Sequence, residues 1–377
     1  MKKKKNEYKP KRHPHLLSNI LSVLFTLVIA SFFVVVGYSI AKPFGEIGEL
    51  SSGDSTADIN DTLEAVNDSN VKIPKGYQAY WIKDGEINDI DELKNSLGLI
   101  SSSEYNMVIV PLKIEGGKLN YNSSNDGAVL ADAGNDIALS DIIDAVKQAG
   151  FTPAASVNTM QDNLYPTANK NAGFLMKSSK SLWLDSSNKD KGKPWLDPSS
   201  SATKEYLSSL TGEIAQAGFE YIISTNVEYP AFSEKALESL GSYVTDSNRY
   251  LDLIDAINTM TKTARNKDSN MWIEIPAYEM LTGSCEVFQP ILLNTQKYVL
   301  NIDLSKFTST VECNGKKINF SSMSAAEKIK AICEETETKI YKTSFIPEIS
   351  SLSLTSSQKA EIYSTFSELG YDSYILR

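Results

Sequence analysis

Beyond residue 15 the sequence has no histidine: both copies, His13 and His15, stand near the amino terminus. That single gap removes Ser-His-Asp and Cys-His nucleophile systems, HExxH zinc proteases and His-ligated deacetylase sites from the rest of the chain. Neither GxxxxGK[ST] nor GxGxxG occurs, so nucleotide chemistry lacks its loop and no cofactor is expected. Any chemistry must run on carboxylates, lysine, tyrosine or bound metal, and no metal-ligand set is assigned. Cysteine is also scarce. Cys285, Cys313 and Cys333 are odd in number and cannot all pair within one chain. Cys333, at an apolar helical position of AAEKIKAICEETE, reads as a small buried hydrophobe. A bridge between Cys285 and Cys313, in two successive loops, stays an open alternative.

Charge is missing altogether from residues 16–41, LLSNILSVLFTLVIASFFVVVGYSIA. As a helix this run is roughly 39 Å long, enough to cross a hydrocarbon core of about 30 Å with some tilt. It is longer than the apolar stretch of a cleaved signal peptide, the rival reading suggested by Ser39-Ile40-Ala41. Seven Lys/Arg against one Glu precede it, which by the positive-inside rule keeps residues 1–15 cytoplasmic. Subtracting those from the totals of 37 basic and 47 acidic side chains leaves 30 and 46, a net charge of −16 for everything beyond. An acidic exterior domain repels nucleic acid, so no nucleic-acid partner is expected. The expected location is a single-pass cell-membrane protein, with the lipid bilayer as partner of residues 16–41 and the rest extracellular.

Residues 42–75 are rich in Ser, Asp, Asn and Gly without apolar period and read as a flexible stalk with a reach of roughly 30–35 Å. From residue 76 short apolar runs alternate with amphipathic stretches that close on glycine. The runs are residues 78–82, 106–112, 151–158, 221–227, 271–277, 297–304, 340–346 and 373–377. IALSDIIDAVKQAG, KEYLSSLTGEIAQAG and SSQKAEIYSTFSELG fill three of the gaps as helices. Eight strand–helix units over residues 76–377 predict an α/β fold, a (β/α)8 TIM-type barrel, with a doubly wound open sheet as competitor. In either, chemistry gathers at the carboxyl ends of the strands.

Residues 106–230 resemble a bacterial family of secreted, glycoside-hydrolase-like TIM barrels. The likeness rests on VIVPLKIEGGKLNY, on SVNTMQDNLYP with Asp162, on the spacing of Trp183, Asp185, Gly192, Trp195, Asp197 and Pro198, and on NVEYP. The resemblance implies an acid two residues before the strand-two lysine, an arginine on strand three, and D-x-V-R-[FY]-P closing strand four. Here Pro111 precedes Lys113, Ser156 stands on strand three, and Thr225 and Glu228 replace the Asp and Arg.

Glycoside hydrolysis needs two carboxyl groups about 5–5.5 Å apart for retention or about 6.5–9.5 Å for inversion. Acids near the expected exits are Glu115, Asp162, Glu228, Glu274, Glu279, Asp303 and Glu348. Glu228, Glu274 and Glu348 are the candidate catalytic residues. Glu274 interrupts the apolar MWIEIP, and its plainer reading is an ion pair with Lys113 across the barrel; for Glu228 the plainer reading is a solvated loop acid. Lys113, Asn158, Asp162, Asn226, Trp195, Tyr229, Tyr278 and Asp303 are the candidate substrate-binding residues. Flat rings at Tyr165, Trp183, Trp195, Tyr229 and Tyr278 suit a polysaccharide or cell-wall glycan, and each also suits a lid packed on the barrel. Asp303 has the simpler role of a cap, and Asp185 and Asp197 that of fixing the long loop after strand three. The expected function is binding, and on one reading hydrolysis, of a cell-envelope or environmental polysaccharide. The alternatives are a pseudo-glycosidase that only binds glycan and a scaffold for a membrane complex.

Overall fold

The computed structural model describes residues 76–377 apart from 84, 86, 188–190, 242, 243, 245–248, 285–292, 294, 296 and 351–354. The basic segment, the apolar run at 16–41, the stalk and Cys285 lie outside the described residues. Among the described residues no helix is long and apolar enough to cross a membrane.

The strands are β1 (Gln78–Trp81), β2 (Met107–Lys113), β3 (Thr152–Asn158), β4 (Tyr221–Thr225), β5 (Asn270–Pro276) and β6 (Tyr298–Asp303), then β7 (Thr310–Cys313) and β8 (Lys316–Asn319), then β9 (Phe345–Ser350) and β10 (Tyr374–Leu376). The helices are α1 (Ile90–Gly98), α2 (Asp126–Leu130), α3 (Leu139–Gln148), α4 (Leu164–Ala168), α5 (Ser201–Ala217), α6 (Glu234–Leu240), α7 (Tyr250–Arg265), α8 (Ala277–Thr282), α9 (Ala325–Glu337) and α10 (Ser356–Glu368).

Eight strands close into a parallel barrel in the order β1-β10-β9-β6-β5-β4-β3-β2, while β7 and β8 form a separate antiparallel hairpin. Closure rules out the open sheet. β1 meets β10 through Gln78–Tyr374 and Ala79–Ile375, which joins the first unit to the last. The helix ends follow from sequence. Ser200 caps α5, Ser324 with Glu327 and Thr355 with Gln358 form capping boxes on α9 and α10, and Gly218 takes a left-handed φ of 109° that stops α5.

Strand side chains alternate, and the barrel separates them into two cores. Inside the ring lie Ala79, Trp81, Met107, Ile109, Ala154, Ile223, Trp272, Val299, Ile346 and Ile375, sealed at the amino-terminal end by Tyr77 and Tyr221. Those two tyrosines share a 2.9 Å hydroxyl hydrogen bond, and both pack on Trp272. The larger core fills the space between strands and helices, including Val108, Val110, Ala155, Val157, Ile273 and Leu300.

The seventh strand corrects its sequence expectation. Residues 342–344 form a 3-10 turn and the strand is Phe345–Ser350 rather than 340–346, which puts Glu348 inside the strand instead of after it. Pro347 reads as a terminator, yet β10 pairs with β9 only from Glu348 onward, so on that side the missing N–H has no ladder partner to lose. Pro111 is accommodated differently, at a register shift between Pro111 and Lys113 in the β2–β3 ladder.

Cys313 and Cys333 are buried free thiols, and Cys333 sits in the α9 face against the core as expected. Burial raises the pKa of both, and Glu335 near Cys313 and Glu337 near Cys333 push the same way. A raised thiol pKa leaves little thiolate at neutral pH. Maleimide at pH 7.5 should therefore modify neither residue in the native protein and both after denaturation; peptide mass mapping that finds either labelled in the native protein would contradict this packing.

Candidate functional site

At the carboxyl end of the ring the inward positions turn from apolar to polar. By alternation from the inner core these positions are Ser156 and Asn158 on β3, Thr225 on β4, Glu274 on β5, Asn301 on β6, Glu348 and Ser350 on β9, and Arg377 two residues beyond Ile375. Two charged groupings form there.

In the first, Arg377 holds two carboxylates at once. Its Nη1 donates to Glu274 Oε2 at 3.4 Å and to Glu348 Oε1 at 3.3 Å. The separation of those oxygens cannot exceed the sum of the two distances, a bound that admits the retaining spacing of about 5–5.5 Å. Glu274 is further fixed by Asn301 Nδ2 at 3.0 Å, and Ser350 Oγ donates to Asn301 Oδ1 at 2.8 Å. The guanidinium also lies 4.3 Å over the Trp81 ring, occupying an aromatic face on which a sugar could stack. Glu348 is fully buried and the Glu274 side chain is 10% exposed.

The second grouping is Lys113 with Asp162, 3.0 Å apart and both side chains without solvent exposure. Lys113 Nζ also donates to the Asn158 carbonyl at 2.8 Å, and Asp162 Oδ1 accepts the Tyr165 backbone N–H at 3.0 Å. The IEGGK turn is folded onto this aspartate. Gly117 has φ 99°, and a Cβ there would sit 2.1 Å from Asp162 Oδ1, so the second glycine is required both by backbone hand and by space. Burial, reinforced by the Asp162 charge, pushes the nearby Tyr206 hydroxyl well above its usual pKa. The Lys113–Glu274 pair expected from sequence is thus replaced by two others: Lys113 with Asp162, and Glu274 with Arg377.

The remaining candidates scatter over the rim. Asn226 takes a left-handed φ of 49° directly after β4, and Glu228 follows it, exposed. Asp303 accepts from the Ser305 N–H and hydroxyl at 3.0 and 2.6 Å, starting the 3-10 turn at 304–306. The Tyr229 hydroxyl donates to the Arg249 carbonyl at 2.8 Å, and Tyr278 packs edge-on against Phe307. Tyr165 stacks on Tyr206 at 4.0 Å, and Trp183 packs on Phe174 and Phe232.

The long loop after β3 is pinned by its own motif. Asp185 accepts the Lys193 backbone N–H at 2.8 Å and the Trp195 indole N–H at 3.3 Å. A Cβ on Gly192 would meet the Ser186 carbonyl oxygen at 2.0 Å. Asp197 accepts from the Ser199 N–H and hydroxyl at 2.9 and 2.7 Å, turning the chain into α5.

Arg377 is the residue that sequence reasoning missed. Its signal was period-two alternation: Ile375 faces inward, so residue 377 does too. Among the described residues no group of three or more His, Cys, Asp or Glu side chains is placed to hold a metal ion.

A closed βα barrel with carboxylates gathered inside its carboxyl end defines the class as glycoside-hydrolase-like TIM barrels. The family described as "Putative glycosyl hydrolase domain" matches residues 79–282, more than half of the chain, and the chain belongs to it. No curated protein matches the sequence. Among solved structures the fold is similar to the glycoside hydrolase domain of PgaB (BpsB) from Bordetella bronchiseptica, with 11% identity, 80% of this chain and 94% of that chain covered, and a TM-score of 0.53. The catalytic domain of beta-amylase from Paenibacillus polymyxa also matches, at 13% identity, 81% and 92% coverage and a TM-score of 0.49.

Proposed function

We propose that this protein is a membrane-tethered, extracellular glycan-binding barrel in which the carboxylates of an ancestral hydrolase site serve structure rather than hydrolysis. The observation that carries this reading is the arginine bridge. The guanidinium already occupies an oxygen of each carboxyl group, and a fully buried Glu348 exposes no oxygen with which to attack a sugar. Thr225 stands where the family resemblance implies an acid, so strand four supplies no replacement at that position. The family match and the carbohydrate-active fold support a glycan ligand.

The uncharged run at residues 16–41 with its preceding basic cluster supports the anchor, and the net charge of −16 beyond it supports an exterior, water-exposed domain. Full-length protein in detergent should bind at least one polysaccharide from a cell-envelope panel saturably and release no new reducing ends. Release of reducing ends that is abolished by Glu274→Gln would overturn the binding-only reading and restore the hydrolase. Failure to bind any glycan would leave the scaffold. Protease added to intact cells should digest the barrel and spare residues 1–15.

A further inference from the structure

The loop after β3 inverts the charge of its surroundings. Residues 159–200 hold six lysines against four aspartates, Asp162, Asp185, Asp190 and Asp197, and Lys170, Lys177, Lys180, Lys191 and Lys193 are exposed. Asp162 is spent on Lys113 and Asp197 is buried, whereas Asp185 is exposed and accepts from the Lys193 N–H and the Trp195 indole. Some lysines elsewhere reach carboxylates, as Lys113 does Asp162, Lys204 Asp255 and Lys306 Glu279, while others such as Lys147 and Lys330 are single exposed charges. The five on this loop have no ion pair to any described residue.

Beneath two of them is a cavity of about 770 Å³ on the barrel rim, between this loop and the end of α6, lined among others by Asn169, Asn171, Lys177, Lys180, Ser199 and Gly241. Asp197 also borders it, with its Oδ1 taken by Ser199. The floor is fixed: Lys177 N–H donates to the Ser239 carbonyl at 2.8 Å, and Ser200 Oγ donates to the Asn171 carbonyl at 2.7 Å. Gly241 is set by its backbone, with a left-handed φ of 108°, and the Lys177 stem packs beside it.

We propose that this rim cavity is a second binding site, for the anionic groups of a polysaccharide that carries carboxylate or phosphodiester charge. This deepens, and rests on, the reading of the barrel as a glycan binder. Salt reduces the range of surface charge to about 8 Å at physiological ionic strength. A ligand therefore senses the local lysines rather than the net −12 of residues 76–377 (27 basic against 39 acidic side chains) once it is at the rim. Amide and hydroxyl groups from Asn169, Asn171 and Ser199 then supply neutral hydrogen bonds to the sugar between its charges.

The test uses the full chain in detergent with Lys2→Gln, Lys3→Gln, Lys4→Gln and Lys5→Gln as a common background, which quiets the basic amino-terminal segment. Dissociation constants are measured for polygalacturonate, a poly(glycerol phosphate) and neutral dextran, with and without Lys177→Gln/Lys180→Gln. A control pair, Lys147→Gln/Lys330→Gln, removes the same charge from exposed positions elsewhere. The expected result is binding of at least one charged polymer that the rim pair weakens about tenfold and the control pair does not. The preferred polymer identifies the acid. Equal loss in both pairs, or no loss in either, overturns the rim site while leaving glycan binding standing. Absence of binding to all three polymers and to the envelope panel removes the broader reading as well.

Discussion

Replacing Arg377 by leucine is expected to cost the barrel about 3 kcal/mol, read as a lowered urea midpoint at unchanged slope. The cost is that of removing the shared cation from a Glu348 with no exposed surface and a nearly buried Glu274. It falls at the low end of what stripping one partner from a buried pair costs, because the guanidinium itself keeps 21% of its side-chain surface in water. Pairing Arg377→Leu with Glu348→Gln should recover most of the loss, since a neutral amide needs no counter-charge; a double variant as unstable as the single would show that the arginine acts through its stacking on Trp81 instead. Glycan binding in the Arg377→Leu protein adds a second reading of the same change: freeing the Trp81 face should strengthen it, or at least not abolish it.

The larger effect is expected at Lys113. Methionine there keeps the apolar stem and removes the ammonium, stripping one partner from a pair without solvent exposure, at about 3–5 kcal/mol. Asp162→Asn in the same chain should restore stability to within about 1 kcal/mol, because asparagine can still accept the Tyr165 N–H through Oδ1 and carries no charge. Equilibrium unfolding of the four proteins in this cycle gives the coupling directly. A coupling near zero would mean that the pair is not the anchor of the β2 and β3 ends. No change in the glycan panel beyond what lost stability explains is expected from either residue, since both are sealed from the mouth.

Strand positions one to six and eight could be read from apolar runs alone, because a parallel strand covered on both faces is a nearly continuous apolar segment. The seventh could not. FIPEIS carries both a proline and an acid, and only the late pairing of β10 makes the proline harmless, a fact about a neighbour rather than about the segment. The same division holds at the mouth. Glu274 and Glu348 announced themselves as charges in apolar company, but their shared partner lies 103 and 29 residues away in sequence. Lys113 meets Asp162 rather than Glu274, and the register shift beyond Pro111 and the glycine turn at 116–117, neither visible in the local spacing, shape that meeting. The tryptophan-aspartate motif did reveal its work, since Asp185 and Asp197 bind backbone within a few residues of themselves, the range over which sequence spacing is informative.

Ring closure ties together segments nearly three hundred residues apart, as the Tyr77 N–H to Ser373 bond shows. Until β10 docks, β1 and β9 are both raw edges able to recruit a strand from another molecule. The same docking delivers the guanidinium to Glu274 and Glu348, so sealing of the edges and neutralisation of the interior acids are one event. A nascent chain waiting for its final strand is thus doubly vulnerable, sticky along two borders and self-repelling at its centre. Assembly of this barrel should depend on how quickly that last short segment arrives.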